Sequence, residues 1–493
     1  MLRLAGGLPP TLDPAMVQDS TSAEYVVHLF GGLVSLNSDL EVIPDLADRW
    51  EISGDGCTYT FDLLPEATFQ DGRPITAGDF LYSIERACSP ALGSPVALSY
   101  LDDIVGVSDY AAGKAEHISG VKALSAHVLE IEIDAPKAYF MAKLTYPVAF
   151  AVDREQVERD GGDWWHAPNG SGPFALESLD QEQIVLVRNE RYYGRRPALD
   201  RVEFGLSGGL PITLYENDRL DIVEIGADEI ERVSDPANPL YAEHQAASEL
   251  SVQYLGLNVG RPPFDDIRVR QAFAHAIDTA KIADLVLNGT ALAGTGILPP
   301  AMPDYDDSFQ GNTYDPKRAR ELLAASRYGT QGAMPEIVLT VSGTSGHMPA
   351  MAKAVLGMLE ENLDIEARVE QVDWPHFLRD LNDRRYQMFS IGWIADYPDS
   401  QNFLDLLFYA QSSQNHTGYA NIEVDRLLEQ ARVERDPAKR TALYRRVERI
   451  IVGEAPWIPL TYGVAHTLVK PYVKGYHASA SLYPWLKDIY LER

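Results

Sequence analysis

The sequence predicts an α/β protein with more than one domain, and two observations support this prediction. The chain has 493 residues, and because domains mostly contain about 50–250 residues, two or three domains are expected. Between residues 337 and 393, strand patterns alternate with helix patterns in the order strand, helix, strand, helix, strand. This order predicts a small, largely parallel sheet with right-handed crossovers.

Each element of this alternating segment has its own pattern. Ile337–Val341 and the alternating apolar residues of 365–369 predict two strands. Met351–Leu363 has the apolar spacing of a helix between them. Asp373 precedes a Trp-Pro pair and is placed to cap the next helix. Phe389–Trp393, in which apolar residues alternate with Ser and Gly, predicts the last strand.

Other elements are predicted on either side of this segment. Ser251–Val259 predicts a strand, and the helix after it is expected to run from Ile267 to about Leu287. The pattern of elements restarts here, so a domain boundary is predicted near residue 257. Further along the chain, Trp457–Thr461 and Ala465–Val469 predict two separate strands.

Composition limits the possible partners and cofactors. The formal net charge of −30 argues against nucleic acid and anionic lipid, because both would be repelled. No run of 18 apolar residues is present, so no membrane span is predicted. Cys57 and Cys88 form no metal-binding spacing, and we expect no metal and no cofactor. Two buried thiols are favoured over a disulfide, although the sequence leaves the pairing open.

The stretch 389–399 is the main candidate for a binding site. Its strand leads into Asp396-Tyr397-Pro398-Asp399, a turn in which proline ends the strand. An aromatic ring and two carboxylates therefore gather at a strand end, where open α/β sheets bind ligands. A partly buried carboxylate needs a cation, and a ligand ammonium group would supply one. Alternatively, Asp396 caps the following turn or a helix over Asn402–Tyr409.

Taken together, the motifs resemble those of the extracellular solute-binding proteins of peptide ABC importers, the dipeptide- and oligopeptide-binding type. The matching strings occur in the family's order and span nearly the whole chain. They are Phe69-Gln70-Asp71-Gly72-Arg73-Pro74-Ile75-Thr76-Ala77, Gly170-Ser171-Gly172-Pro173-Phe174, Pro263-Phe264-Asp265-Asp266-Ile267-Arg268-Val269-Arg270-Gln271-Ala272-Phe273 and Trp393-Ile394-Ala395-Asp396-Tyr397.

The resemblance implies a two-lobed periplasmic-binding-protein type II fold, with hinge strands between the lobes and the ligand enclosed in an interlobe cleft when they close. The first lobe is expected to carry an inserted subdomain. The implied boundaries are 1–37, 168–257 and 474–493 for the first-lobe core, 38–167 for the inserted subdomain, and 258–473 for the second lobe.

The resemblance also implies a set of ligand-binding residues. Asp396 would pair with the terminal ammonium group of a peptide, and Trp374 would line the pocket. The segment from Val17 to Ser20 matches an extended piece that hydrogen-bonds the peptide main chain, and Tyr100 and Tyr476 are further candidates. The full predicted set is Gln18, Ser20, Tyr100, Trp374, Gly392, Trp393, Ile394, Asp396, Tyr397 and Tyr476, with no catalytic residue.

One departure from the family leaves the ligand open. Some oligopeptide binders have an arginine three residues before the strand's tryptophan, where it meets the ligand carboxylate, but this chain has Ser390. Arg384, Arg385 or His347 would have to serve instead, or the carboxylate lies in water, or the ligand has none. The last possibility keeps an oligosaccharide-binding alternative open, with Trp374 and Trp393 stacking on sugar rings.

The expected function is therefore binding without catalysis. No GxSxG, HExxH or P-loop string appears, so a hydrolase is not favoured. The resemblance implies a monomeric protein, periplasmic or extracellular, that delivers short peptides to the transmembrane subunits of an ABC permease. A signal segment and a lipid anchor are possibilities that the given sequence leaves open.

Overall fold

The computed structural model describes residues 1–329, 334–345, 347–478, 480 and 485–492. The chain divides into two compact units. Unit 1 comprises Met1–Ile225, Pro236–Ala246 and Thr467–Arg493, and unit 2 comprises Gly226–Asp235 and Ala247–His466. The finer division into a first-lobe core, an inserted subdomain and a second lobe stays a prediction.

The strands are numbered in chain order. They are β1 Leu2–Ala5, β2 Val34–Leu36, β3 Val42–Pro44, β4 Ala47–Ile52, β5 Thr58–Leu63, β6 Val121–Ser125, β7 Val128–Glu132, β8 Phe174–Leu179, β9 Gln183–Arg188, β10 Arg201–Gly205, β11 Ile222–Glu224, β12 His244–Leu257, β13 Ala291–Ala293, β14 Ile337–Ser342, β15 Ala367–Val372, β16 Met388–Ile394, β17 Trp457–Val469, β18 Val473–Lys474 and β19 Tyr490–Leu491.

The α-helices are also numbered in chain order. They are α1 Ser20–Leu29, α2 Ala77–Cys88, α3 Ala97–Leu101, α4 Val107–Ala111, α5 Phe140–Lys143, α6 Arg154–Asp160, α7 Pro211–Glu216, α8 Ala227–Val233, α9 Ile267–Ala276, α10 Thr279–Lys281, α11 Pro316–Ala325, α12 Ala350–Leu363, α13 Trp374–Asn382, α14 Leu406–Phe408, α15 Ile422–Val433 and α16 Pro437–Glu454. Two π-helical turns, Ile282–Val286 and Gln401–Asp405, follow α10 and precede α14.

Unit 1 contains two four-stranded sheets, in the strand orders β1-β10-β9-β8 and β4-β5-β7-β6. In the second sheet, β4 and β5 pair around the turn at residues 53–56, with Trp50 opposite Phe61 and Ile52 opposite Tyr59. The first sheet and α1 share a core that includes Tyr25, whose ring meets Phe204 edge to face with centroids 5.0 Å apart.

Two of the strings shared with the family have a structural role in unit 1. The guanidinium of Arg73 bridges two buried carboxylates, Asp79 at 2.9 Å and Asp153 at 2.8 Å. Asp79 also forms the capping box of α2 with Thr76. The backbone N–H of Gln70 donates to the carbonyl of Gly170 at 3.0 Å. The Gln70–Gly170 contact joins the two strings, and the Arg73 pairs tie the first string to α2 and to Asp153, so these residues stabilise the fold of this unit.

Unit 2 is organised around one sheet. Its strands follow the order β17-β12-β16-β14-β15, and β13 pairs with β17. β14 is parallel to both β15 and β16, and β12 is antiparallel to β16. The predicted parallel arrangement is therefore confirmed. One face is covered by apolar residues of α9, α11 and α12, which pack on Leu255, Leu339 and Met388 in the core.

Two predicted elements differ from the structure. The helix expected from Ile267 to Leu287 ends at Ala276, because the side chain of Asp278 accepts a hydrogen bond from the backbone N–H of Lys281 and starts a new turn. The two strands predicted around residues 457–469 are one continuous strand, β17. Pairing with β13 at Gly463 carries the strand through the residues that looked like a break.

The two cysteines do not form a disulfide. Cys88 is buried in α2, as expected, and burial raises the pKa of its thiol to about 12. Cys57 is only half-buried, so the expectation of two buried thiols is wrong for this residue. Its backbone N–H donates to Asp55 at 3.1 Å in the hairpin turn, and the turn leaves its side chain near the surface.

Candidate binding site

The carboxyl ends of three neighbouring strands define the candidate site of unit 2. β16 ends at Ile394, β14 at Ser342 and β15 at Val372. Because these strands are parallel, their carboxyl ends meet at one edge, which is where open α/β sheets bind ligands. Asp396 lies just beyond the first of these ends and Trp374 just beyond the last.

Asp396 is held in place by Asn402. The side-chain amide of Asn402 donates to the Asp396 carboxylate at 2.8 Å, and its Oδ1 accepts from the Asp396 backbone N–H at 3.2 Å. The same Oδ1 accepts from the indole Nε1–H of Trp393 at 3.0 Å. Asn402 is fully buried, whereas Asp396 and Trp393 are half-buried. The side chain of Asn402 therefore fixes both Asp396 and Trp393, two of the predicted ligand-binding residues.

The second carboxylate of the turn, Asp399, has a different role. The guanidinium of Arg440 reaches its two oxygens at 2.8 and 2.6 Å. Burial by itself lowers the pKa of Arg440, but its hydrogen bonds to Asp399 raise that pKa above its usual value. Asp399 also accepts from the backbone N–H of Gln401 at 2.9 Å. Asp399 thus caps the following turn, a role that the sequence also allowed for Asp396.

The other predicted residues near this turn differ in exposure. Gly392 is exposed and Ile394 half-buried on β16. Tyr397 is fully buried, and its hydroxyl donates to Gln401 Oε1 at 2.6 Å. The phenol of Tyr397 therefore faces the interior of unit 2, where it supports the turn that carries Asp396.

Trp374 begins α13 and lies in a polar neighbourhood. Its ring stacks on Phe377 with centroids 5.9 Å apart, and its indole N–H is buried with no hydrogen-bond partner among the residues that the structure describes. An open cavity of about 590 Å³ is lined by α13, the end of β15 and the loop after β14. In its wall, a hydrogen bond from His376 lowers the pKa of Asp373.

Ser390 stands where some oligopeptide binders have an arginine, and it is paired with a neutral side chain. The amide Nε2 of Gln253 on β12 donates to the Ser390 hydroxyl at 3.3 Å. Of the alternative cations, Arg385 is already engaged with Asp380 at 3.1 Å and Asp383 at 2.7 Å. The strand at this position therefore presents hydroxyl and amide groups instead of a positive charge.

The predicted residues of unit 1 lie around the start of α1. Ser20 is the exposed first residue of α1, and Gln18 is half-buried just before it. Tyr100 is buried and stacks on Tyr146 with centroids 3.9 Å apart. The hydroxyl of Tyr146 donates to the carbonyl of Val17 at 3.1 Å. The two tyrosines therefore support the extended segment that contains Gln18.

Tyr476 occupies a separate place in unit 1. It is half-buried, and its hydroxyl donates to the hydroxyl of Thr467 at 3.4 Å. Burial raises the pKa of its phenol above the ordinary value. Tyr476 is therefore neutral near neutral pH and available only as a hydrogen-bonding or apolar group.

Within the described part of the chain, no group of three or more His, Cys, Asp or Glu side chains is arranged to hold a metal ion. No helix among these residues combines the length and apolarity needed to cross a bilayer.

Three residues with a clear role near the predicted positions were not identified from the sequence. Asn402, Gln253 and Tyr146 act through contacts with Asp396, Ser390 and Val17. Two of these contacts join residues 137 and 129 positions apart in the chain. Asn402 is only six positions from Asp396, but it lies in a segment predicted as an ordinary helix, so its spacing gave no indication of the contact.

Comparison with known families identifies the class of protein. Residues 41–415 match the family model described as bacterial extracellular solute-binding proteins, family 5. The chain belongs to this family, whose members bind solutes. The α/β fold class expected from the sequence is confirmed by the solved structures of the same family.

Similar proteins include several with peptide ligands in their names. The chain is 30% identical to the periplasmic murein peptide-binding protein of Escherichia coli, over 95% of this chain and 88% of that protein. The solved structure of the Escherichia coli murein tripeptide-binding protein superposes with a TM-score of 0.90, at 27% identity, covering 100% of this chain and 98% of that one. A probable deoxycholate-binding periplasmic protein of Escherichia coli is also 30% identical, over 98% of this chain and 92% of that protein.

Proposed function

We propose that this protein is the binding component of an ABC importer, and that it captures short peptides and delivers them to the transmembrane subunits of a permease. Asp396 pairs with the ligand's terminal ammonium group. Backbone groups of β16, around Gly392 and Ile394, and of the segment containing Gln18 and Ser20 hydrogen-bond the peptide main chain. Recognition of the main chain tolerates many side-chain sequences. A periplasmic or extracellular location and a monomeric state complete the proposal.

The observation that carries this proposal is that Asn402 orients the Asp396 carboxylate just beyond the carboxyl end of β16, where a ligand is expected. Asp399 is neutralised by Arg440 through a bidentate pair, whereas the contacts of Asp396 with Asn402 come from a neutral amide. A neutral amide orients a carboxylate without cancelling its charge. A carboxylate that Asn402 orients in this way, at the strand edge where a ligand is expected, suits a cationic group as its partner.

The Asp396 carboxylate would also affect the binding of the other ligand classes. Deoxycholate, named for one relative, carries a carboxylate and no ammonium group, so Asp396 would repel its charged end. An oligosaccharide would use Trp374 and Trp393 as stacking surfaces and gain little from the charge of Asp396. The charge at this turn therefore favours peptides with a free amino terminus.

Calorimetric titration with a matched pair of ligands tests the proposal. A pool of tripeptides with free amino termini should bind the wild-type protein, and the same peptides acetylated at the amino terminus should bind far more weakly. Asp396→Asn should remove this difference, because losing one partner of a buried charge pair costs about 2–5 kcal/mol, roughly 30-fold or more in affinity. Deoxycholate and maltotriose serve as the competing ligand classes.

The control is Asp364→Asn, which changes the net charge of unit 2 by the same amount. Asp364 is exposed at the end of α12 and has φ of 56°, a conformation that asparagine also adopts readily. This variant should bind like the wild type. Equal affinity for free and acetylated peptides would remove Asp396 from the proposed role, and binding of deoxycholate alone would overturn the peptide assignment.

A further inference from the structure

Asn402 occupies an unusual position between the strand end and the helices that follow. It lies in the π-helical turn Gln401–Asp405 and is fully buried. π-Helical turns place side chains differently from regular helix and are often found at functional sites. Its neighbour Ser400, also fully buried, donates to Asp304 at 2.7 Å, and this contact holds the beginning of the turn against another part of unit 2.

The hydrogen bonds of Asn402 define its orientation without ambiguity. Its oxygen faces two N–H groups, those of Trp393 Nε1 and the Asp396 backbone, and its NH₂ group faces the Asp396 carboxylate. The flipped amide would place two sets of donors against each other and an oxygen against a carboxylate. The observed orientation satisfies all three groups, so the amide couples the indole ring to the carboxylate.

From this geometry we infer that Asn402 is a positioning residue, which fixes Asp396 and Trp393 in the one arrangement that recognises an amino terminus. The inference rests on the proposed function. Asp396 lies in a turn two residues beyond Ile394, the last residue of β16. Loss of the Asn402 amide removes two hydrogen bonds that orient Asp396, one to its carboxylate and one from its backbone N–H, so the geometry of the ammonium pairing should weaken.

Two substitutions separate the parts of this role. Asn402→Leu removes all three hydrogen bonds at similar volume, so affinity for free tripeptides should fall about 10-fold or more, as happens when outer partners of a site are lost. Affinity for acetylated tripeptides should change little, and the ratio of the two affinities should collapse. In the wild type this ratio is the signature of ammonium recognition, which a purely structural role would not alter.

Asn402→Asp keeps the acceptor for Trp393 Nε1 and for the Asp396 backbone but replaces the NH₂ donor by an oxygen. Two carboxylates in contact share a proton. Peptide affinity of this variant should therefore rise with pH between about 5.5 and 7.5, as the pair gains its second negative charge, while the wild type stays nearly flat. The Trp393 indole N–H should stay protected from solvent exchange in this variant, because its acceptor is kept, and should lose that protection in Asn402→Leu.

The control for burying leucine in place of a buried asparagine is Asn362→Leu. Asn362 is buried in α12 and donates to the carbonyl of Ala276 at 2.8 Å. The Asn362→Leu variant should be less stable than the wild type but keep the same ratio of affinities for free and acetylated tripeptides. If Asn402→Leu fails to fold, the pH profile of Asn402→Asp decides the matter by itself.

The outcomes separate this inference from the proposed function. If wild-type protein binds free and acetylated peptides equally, the ammonium pairing itself is wrong. If the wild type discriminates but Asn402→Leu keeps the same ratio, or folded Asn402→Asp shows no pH dependence of its own, the positioning role is overturned while the proposed function stands.

Discussion

The ion pair between Arg440 and Asp399 gives the sharpest stability prediction. Their side chains are only 14% and 17% exposed, and Arg440 also donates to the Tyr444 hydroxyl at 3.0 Å. Arg440→Met removes both hydrogen bonds to Asp399 and leaves a largely buried carboxylate without its cation. Removing one partner of a buried pair typically costs about 3–5 kcal/mol. Asp399 keeps some exposure and the Gln401 N–H, so we expect about 3 kcal/mol.

A double-mutant cycle isolates the pair from its surroundings. Asp399→Asn should also destabilise the protein, because Arg440 then lacks its anion. The double variant should cost less than the sum of the two single changes by about 1–3 kcal/mol, since the second change removes a group that is already unpaired. Urea denaturation gives the free energy of unfolding, and hydrogen exchange of residues 396–405 reports on this turn directly.

Two results would refute this reasoning. A cost below about 1 kcal/mol for Arg440→Met would mean that the pair behaves like an exposed surface ion pair. Additivity of the two changes within about 0.5 kcal/mol would mean that Arg440 and Asp399 do not depend on each other. Peptide affinity measured on the same variants would then show whether the turn still presents Asp396.

Two further predictions concern stability. Burial raises the pKa of Glu448 to about 7, so the folded protein holds a proton that the unfolded chain releases above about pH 4.5. This contribution to the free energy of unfolding should fall as pH rises from about 4.5 to 7, by up to about 1.4 kcal/mol per pH unit. Glu448→Gln should flatten this part of a pH series of urea titrations, and an unchanged slope would contradict the assignment. Gly256→Ala should destabilise by about 1–3 kcal/mol, because the added Cβ would lie within 2.5 Å of the Phe389 ring in the core. In Gly392→Ala, the added Cβ would meet only the flexible end of the Gln253 side chain, at 2.8 Å. The free energy of unfolding of this variant, measured by urea titration, should stay within about 0.5 kcal/mol of the wild type. Equal losses at the two positions would show that core crowding is not the cause.

The sequence by itself determined the local elements of this protein. Apolar alternation in Ile337–Val341 and the helical spacing of Met351–Leu363 predicted β14 and α12 within one or two residues. The cap at Asp373 was also predictable, because its side chain bonds only three residues away, to the backbone N–H of His376. Such features depend on contacts along a short stretch of chain, so periodicity and capping chemistry are sufficient to find them.

The sequence also placed Asp396 at the carboxyl end of a strand, but it left the role of this carboxylate open. The role of the second carboxylate, Asp399, depends on Arg440, which is 41 residues away in the chain and reaches Asp399 only when α16 packs beside the turn. The orientation of Asp396 depends on Asn402, which a regular helix would have directed elsewhere. Only the tertiary structure decided that Arg440 neutralises Asp399 and that Asn402 orients Asp396, because such contacts join groups that are close in space, whatever their separation along the chain.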